Sequence, residues 1–473
     1  MREHRPYVIA IVVLIALRFV AGAILPLSAD EAYYWLWSRH LAAGYYDHPP
    51  TIAFLIRGGI MLFGDTSFGV RAIPLLLSVA ASWFVWRAGA FLLKDERAGA
   101  LSCLLFNLTL MVAVEMMAAT PDAPLIACAA AFLWALAKVE DTEDGRWWLA
   151  VGAAGGLALL SKYTAFFLGA GALAWIVFTP SARRWLLSPW PYLGAILAFA
   201  IFAPNLWWNE THHWMTFAFQ FGRVGTGHLT ARFLFEFLGA QLLLATPFIF
   251  ICCVFGLSRW KSEIALLVAL ILPSAIYFAI HSLHDRVQGN WPCFLYPALA
   301  IVAAAATRES STRFPAVLTW SGRLAVPVAA MLLTLCYLQA FFDVAPIGRS
   351  DPFARLLGFG FRDAARHLDP GAAILTTDYE TAAWFAFYGR QPVVQLNEEQ
   401  RYLTAPAPDT AILARPLLYV AEQNRDHHDF VAAHFARVQL LGAFDRSRGG
   451  KAVAHYVVYR VTGEQGAAIG RVP

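Results

Sequence analysis

Two adjacent carboxylates, Asp30 and Glu31, follow the first long apolar run directly, in Ser28-Ala29-Asp30-Glu31-Ala32-Tyr33-Tyr34-Trp35. A carboxylate in a partly dry cleft can be tuned toward general-base work. Asp30 is the stronger candidate, because Ser28 lies three residues before Glu31 and offers it a capping box instead. Both acids also suit the N-terminal end of a helix dipole. Asp122, in Thr120-Pro121-Asp122-Ala123-Pro124, is a further acid beside an apolar run. Lys162 and Arg286 are the cations that could answer an anion. Lys162 has apolar sequence on both sides, whereas Lys94, Lys138 and Lys261 lie in basic turns. The structural alternatives are snorkelling for Lys162 and pairing with Asp285 for Arg286. His48, His212, His213 and Asp47 offer N and O ligands to a divalent metal. Adjacent histidines are badly spaced for one helical face, so no metal site or other cofactor is assigned and a divalent metal stays open.

These groups sit in a chain unsuited to water. Of 473 residues, 59% are apolar and 14% charged, against roughly 25% charged in a soluble domain. The low charge excludes disorder. A net charge of +4 without a basic run excludes nucleic acid as a partner. The six cysteines lie in or beside apolar stretches without CxxC spacing and read as buried, unpaired thiols. The composition is that of a polytopic α-helical membrane protein.

A membrane-crossing helix needs about 20 mostly apolar residues. Scanning on that criterion predicts eleven spans, near residues 7–27, 67–93, 98–119, 121–139, 147–160, 163–179, 190–206, 237–257, 263–281, 292–306 and 323–342. The first reads as a retained anchor rather than a cleaved signal. With the N-terminus inside, the inner turns carry Lys94 and Arg97, Lys138 and Arg146, Arg183 and Arg184, Arg259 and Lys261, then Arg308 and Arg313. Each is short and basic, as the positive-inside rule requires. An odd number of spans puts residues 343–473 outside, where alternating segments such as 373–377 and 455–459 predict the strands of a small α/β domain. The division is therefore 1–342, with outer loops 28–66 and 207–236, and 343–473.

On that topology the costly polar residues collect at the outer side. They include Asp30, Tyr46, Asp47, His48, Asp122, Lys162, His212, Arg223, His228, Arg286 and Asn290. A transporter or flippase would instead place polar groups along a path through the midplane. A scaffold would explain the outer domain but not the acids and cations together. The asymmetry favours chemistry at one face.

Several motifs carry a resemblance: "SADEAYYW", "YYDHPP", "GVRAIPLL", "TPDAPL", "LALLSKYTAF" and "QGNWPCFLYPAL". Over most of residues 1–342 the chain resembles bacterial membrane glycosyltransferases of the GT-C type. It is similar to the protein mannosyltransferase-like enzymes and the lipid A aminoarabinose or galacturonic acid transferases. The resemblance implies a GT-C-like bundle acting as a monomer on the periplasmic face of the inner membrane. It implies a sugar donor carried on polyprenyl phosphate and a lipid, glycan or protein acceptor. Asp30 then matches the essential carboxylate, with Glu31 or Asp122 orienting the acceptor. Lys162, Arg286 and a protonated His48 would bind phosphate, while Tyr46, Tyr163, Trp208 and Asn290 would contact sugar or acceptor. His48 departs from the pattern, since aminoarabinose transferases carry lysine before the Pro-Pro.

Overall fold

A computed structural model describes residues 4–222, 229–258, 264–308, 315–389, 391–406, 410–413 and 415–464. Arg223, His228, Arg259, Lys261 and Arg313 lie outside the described residues. The chain divides into two compact units: Met1–Gly22, His48–Thr51 and Arg71–Leu335 form one, and Ala23–Asp47, Ile52–Val70 and Cys336–Pro473 the other.

The helices of the first two hundred residues are α1 (Arg5–Ile24), α2 (Ala29–Arg39), α3 (Thr51–Phe63), α4 (Ser67–Leu92), α5 (Glu96–Leu108), α6 (Leu110–Glu115), α7 (Asp122–Thr142), α8 (Trp147–Leu159) and α9 (Phe166–Phe178). Then come α10 (Trp190–Thr211), α11 (Met215–Phe221), α12 (Arg232–Leu244), α13 (Pro247–Leu257), α14 (Ala265–His281), α15 (Tyr296–Thr307) and α16 (Pro315–Phe342). The first unit holds most of α1, α4 and α16 and all of α5–α15.

Each of the eleven apolar runs contains a helix, but not each is one unbroken span. Among the described residues, helices α1, α4, α7, α10 and α16 are long and apolar enough to cross a membrane, or up to seven spans if each of two bent pairs counts as one. Residues 98–119 break where Thr109 ends α5 and caps α6, accepting from the Val112 amide at 3.3 Å. Residues 237–257 break at Thr246, whose φ of +65° precedes Pro247, and α12 and α13 meet at a 109° bend. Proline at the first helical position favours a new start there.

Lipid tails are as apolar as leucine, so a bundle in a bilayer relies on close packing. A Cβ on Gly152 of α8 would lie 2.1 Å from the Gly194 carbonyl oxygen of α10, so only glycine permits that approach. Phe106, Met111, Leu125, Leu133 and Leu267 fill the core, while Val12, Val13 and Leu17 of α1 face outward as a lipid-facing surface would. Buried Arg18 is answered by Asn107, 3.2 Å from its Nη1.

The second unit contains α2, α3 and a mixed sheet. Its C-terminal elements are α17 (Pro352–Leu356), α18 (Phe361–Arg366), β1 (Ala373–Thr376), α19 (Tyr379–Tyr388), β2 (Val393–Gln395), β3 (Leu417–Glu422), β4 (Phe435–Arg448) and β5 (Lys451–Glu464). The strand order is β2-β1-β3-β5-β4. Strand β1 is parallel to both neighbours, with Ile374 opposite Val393 and Leu418, and β5 is antiparallel to β3 and β4. The β4–β5 turn uses Gly449 and Gly450 at φ +54° and +76°, the left-handed pair that a tight hairpin demands. The α/β character expected of the C-terminal region is present, and β1 and β5 fall on the two predicted strand segments.

The segments assigned as outer connections contain helices. Residues 28–66 fold largely into α2 and α3, and α10, α11 and α12 occupy most of the described part of 207–236. The N-cap of α2 and its nearly continuous aromatic and apolar sequence are sufficient to form a helix, although it is too short to cross a membrane.

Candidate active site

Two polar clusters stand out, one in each unit. In the second unit the local sequence builds a capped helix start. Ser28 Oγ accepts from the Glu31 amide at 3.2 Å, and Glu31 Oε2 accepts from the Ser28 amide at 2.8 Å. This reciprocal box occupies the fully buried Glu31 and leaves Asp30 one position earlier, its side chain in an exposed setting. The segment before the cap is also tied down. The Leu27 amide donates to Tyr388 Oη at 2.6 Å, and the Leu27 carbonyl accepts from Trp384 Nε1 at 3.2 Å and from the Gly358 amide at 2.8 Å.

Tyr379, the first residue of α19, donates its hydroxyl to Asp30 Oδ1 at 3.0 Å. Asp30 keeps a solvent-exposed face, yet protein crowds it closely enough that lost hydration raises its pKa to about 6. The Tyr379 hydrogen bond opposes that rise, Glu380 and Asp47 add to it through like charge, and Arg401 opposes it. A carboxylate that is both reachable and poorly hydrated is ionised at neutral pH but more basic than usual, which suits proton abstraction.

Behind Asp30, Tyr33 donates to Asp47 Oδ2 at 2.7 Å, and Arg401 Nη1 meets Asp47 Oδ1 at 2.6 Å. Arg401 Nε also reaches Glu398 at 3.1 Å, and its guanidinium lies 4.4 Å from the centre of the Tyr379 ring. The flat cation thus buttresses the tyrosine that holds Asp30. Tyr46 is half-buried, with its ring centre 5.9 Å from the same guanidinium. Trp37 and Tyr45 stack at 4.2 Å and line the helix beneath.

The first unit gathers Asp122, Lys162, Asn290 and Cys293. Lys162 Nζ pairs with Asp122 Oδ1 at 2.7 Å, and Asn290 Nδ2 donates to Oδ2 at 2.8 Å. Cys293 Sγ lies 3.0 Å from Oδ1. Both charges are buried, so each neutralises the other. Lys162 therefore does not snorkel, and its positive charge is already balanced.

The other candidates lie apart from that pair. Arg286 is exposed and bridges Glu236 at 3.1 Å, not Asp285, the partner of the structural alternative. Tyr163 Oη donates to Asn205 at 3.0 Å and accepts from Asn209 at 3.2 Å. Buried Trp208 stacks on His212 at 4.0 Å. His48 is half-buried ahead of α3. Among the described residues no group of three or more His, Cys, Asp or Glu is placed to hold a metal ion.

Sequence reasoning missed Tyr379 and Arg401, and gave Tyr33 and Cys293 no part in hydrogen bonds to Asp47 and Asp122. Asp378 before Tyr379 is a legible N-cap, accepting from the Thr381 amide at 2.8 Å. That signal places a helix start but says nothing of Asp30.

Residues 47–208 match the family described as dolichyl-phosphate-mannose-protein mannosyltransferase. The chain is 27% identical over 293 residues to the lipid A galacturonosyltransferase RgtD of Rhizobium johnstonii, covering 58% of this chain and 59% of that protein. It is 30% identical over 199 residues to the lipopolysaccharide core galacturonosyltransferase RgtA of the same organism, covering 41% and 40%. The chain thus spans less than two thirds of the length of these relatives. Among solved structures, ArnT from Cupriavidus metallidurans bound to undecaprenyl phosphate aligns with a TM-score of 0.66 at 18% identity, covering 97% of this chain and 99% of that one. Its apo form aligns equally well at 17% identity. The fold is that of the GT-C type membrane glycosyltransferases. Within that class the chain is similar to proteins of the ArnT and RgtD kind.

Proposed function

We propose that this chain is an inverting glycosyltransferase that takes a sugar from a polyprenyl-phosphate carrier. The observation that carries the reading is Asp30, reachable by solvent, held by Tyr379 and raised to a pKa of about 6. Asp30 accepts the proton of the acceptor hydroxyl as that oxygen attacks the anomeric carbon. The new C–O bond forms while the bond from that carbon to the phosphate oxygen breaks, and polyprenyl phosphate departs with the electron pair. The configuration inverts, and phosphate leaves without needing a general acid.

Glu31 and Asp122 take orienting rather than proton-accepting roles, because the cap and Lys162 already engage them. Arg286, exposed beside Glu236, is the cation offered to the donor phosphate, with His48 as a second. Lys162 fixes Asp122 and Asn290, and its charge reaches an incoming phosphate only as part of that pair. Tyr46, Tyr163, Trp208 and Asn290 are proposed around the sugar and acceptor. Undecaprenyl phosphate in the ArnT structure supports the carrier. The names of the relatives support galacturonic acid as the sugar and lipid A or the lipopolysaccharide core as the acceptor. The reaction would face the periplasm, with the basic turns inside.

The test is incubation of the purified chain with polyprenyl-phosphate galacturonate and lipid A, read by mass spectrometry. Acceptor gaining one uronic acid, with free polyprenyl phosphate released in equal amount, is the expected result. An unchanged acceptor with intact donor, from protein that is folded, would reject it.

A further inference from the structure

Two helices long and apolar enough to cross a membrane, α1 and α16, have their last residues in the second unit. Phe342, the last residue of α16, and Val344, Ile347 and Leu356 beyond it are 53–71% exposed. Leu338, one turn earlier, is exposed as well, so the apolar surface of α16 continues past the helix end. These side chains are held in place rather than carried on a loose loop. Asp343, at φ +51°, ends the helix. Gln339 Oε1 then accepts from the Ala345 amide at 2.9 Å, while its Nε2 donates to Asp351 at 3.0 Å. The chain therefore folds back beside the last turn of α16. Arg448 closes the fold, pairing with Asp351 at 2.9 Å and donating to the Gln339 and Ala340 carbonyls at 2.7 Å each.

A second tether runs to the end of α1. Leu357 forms an antiparallel bridge with Ser28, and the Gly358 amide donates to the Leu27 carbonyl at 2.8 Å. Arg446 Nη1 fixes the same turn, donating to the Ala354 and Leu357 carbonyls at 2.9 and 3.1 Å. Leu27 follows the last residue of α1, Ile24, by three positions, a reach of at most roughly 11 Å. The headgroup zone of one leaflet is about 5–8 Å deep. Leu356 and Ile347 are thus each tied close to the end of an apolar helix, at the depth where that helix meets headgroups. Arg349 and Arg355 are exposed between and beside them. Apolar side chains flanked by arginines are the pattern of a surface lying in the membrane interface.

We propose that Phe342, Val344, Ile347 and Leu356 form a platform seated in the lipid surface of the bilayer leaflet at which α1 and α16 end, with Arg349 and Arg355 among the lipid phosphates. An exposed apolar patch can also mark a protein partner; continuity with the ends of two apolar helices is what assigns this one to lipid. Leu27 precedes Asp30 by three positions, so the platform also fixes the height of that carboxylate above the membrane. Spin labels placed singly at Ile347→Cys and Leu356→Cys in the full chain, in lipid nanodiscs, test the proposal, with the signal of the unsubstituted chain subtracted. Val12→Cys on α1, 59% exposed, is the lipid reference. Asp429→Cys, replacing a side chain that is 98% exposed, is the water reference. Collisions with oxygen, which dissolves in lipid, are compared with those of a water-soluble nickel chelate. The oxygen-to-nickel ratio at Ile347 and Leu356 should exceed that at Asp429 several-fold and approach that at Val12. A ratio equal to that at Asp429 at either position would overturn the platform. Shielding of both labels from both reagents would overturn lipid as the occupant and assign the patch to a protein partner.

Discussion

Tyr379 donates a hydrogen bond to Asp30 at 3.0 Å although 349 positions separate them in the chain. Crowding raises the carboxyl to about 6, and the tyrosine is the strongest influence holding it down. A general base must be deprotonated, so kcat/KM should fall as pH drops through about 6. Tyr379→Phe removes the restraint and should move that acid limb upward. Glu380→Gln removes a like charge and should move it downward. Limbs that stay fixed in both variants would separate the pH dependence from Asp30.

The Asp122–Lys162 pair is buried on both sides. Removing one partner of such a pair costs about 3–5 kcal/mol, whereas replacing both with neutral groups is far milder. Lys162→Met should therefore lower the unfolding temperature strongly, and Lys162→Met with Asp122→Asn should recover much of the loss. Thermal unfolding in lipid nanodiscs reads both. Normal donor KM in the recovered double variant would confine Lys162 to structure, while a raised KM is the expected outcome.

Arg401 answers two acids and stacks on Tyr379. Arg401→Met takes the cation from Asp47, which keeps the Tyr33 hydrogen bond, and should destabilise the second unit by about 1.5–3 kcal/mol. Arg401→Lys keeps the charge but loses the flat fork, so it should stay better folded and still lower kcat by loosening Tyr379. Equal kcat in wild type and Arg401→Lys would show that the stacking contact has no part in catalysis.

The cap beneath Asp30 has a measurable worth. Ser28→Ala removes the side-chain acceptor of the Glu31 amide and should cost about 1 kcal/mol. It should also slow turnover several-fold, because Asp30 sits in the turn that the cap fixes. Hydrogen exchange at the Glu31 and Ala32 amides would report the loosening directly.

The apolar runs were legible as helices because hydropathy and length are local properties. The break at Thr246 was not, since it depends on one positive φ before a proline rather than on composition. Asp30 was legible from its place after the first apolar run, and Ser28 forecast the cap on Glu31. Lys162 stood out because it interrupts an apolar region, but its partner is forty residues away and emerged only in three dimensions. Tyr379 and Arg401 carry no local mark of their role. The same is true of Arg286, whose partner Glu236 lies on another helix while Asp285 is its neighbour in sequence. The start of α2 was legible from Ser28 and Glu31, whereas α3, at 13 residues, is too short to register as a membrane span.

The central claim is that Asp30 takes the proton from the acceptor. Its side chain lies in an exposed setting, so Asp30→Asn should fold and melt as the wild type does. Single-turnover release of polyprenyl phosphate from a labelled donor, with acceptor present, measures the step itself. The rate should fall by roughly 10²–10⁴, the usual contribution of a positioned base, with donor binding retained. Release at the wild-type rate from folded Asp30→Asn protein would contradict the account.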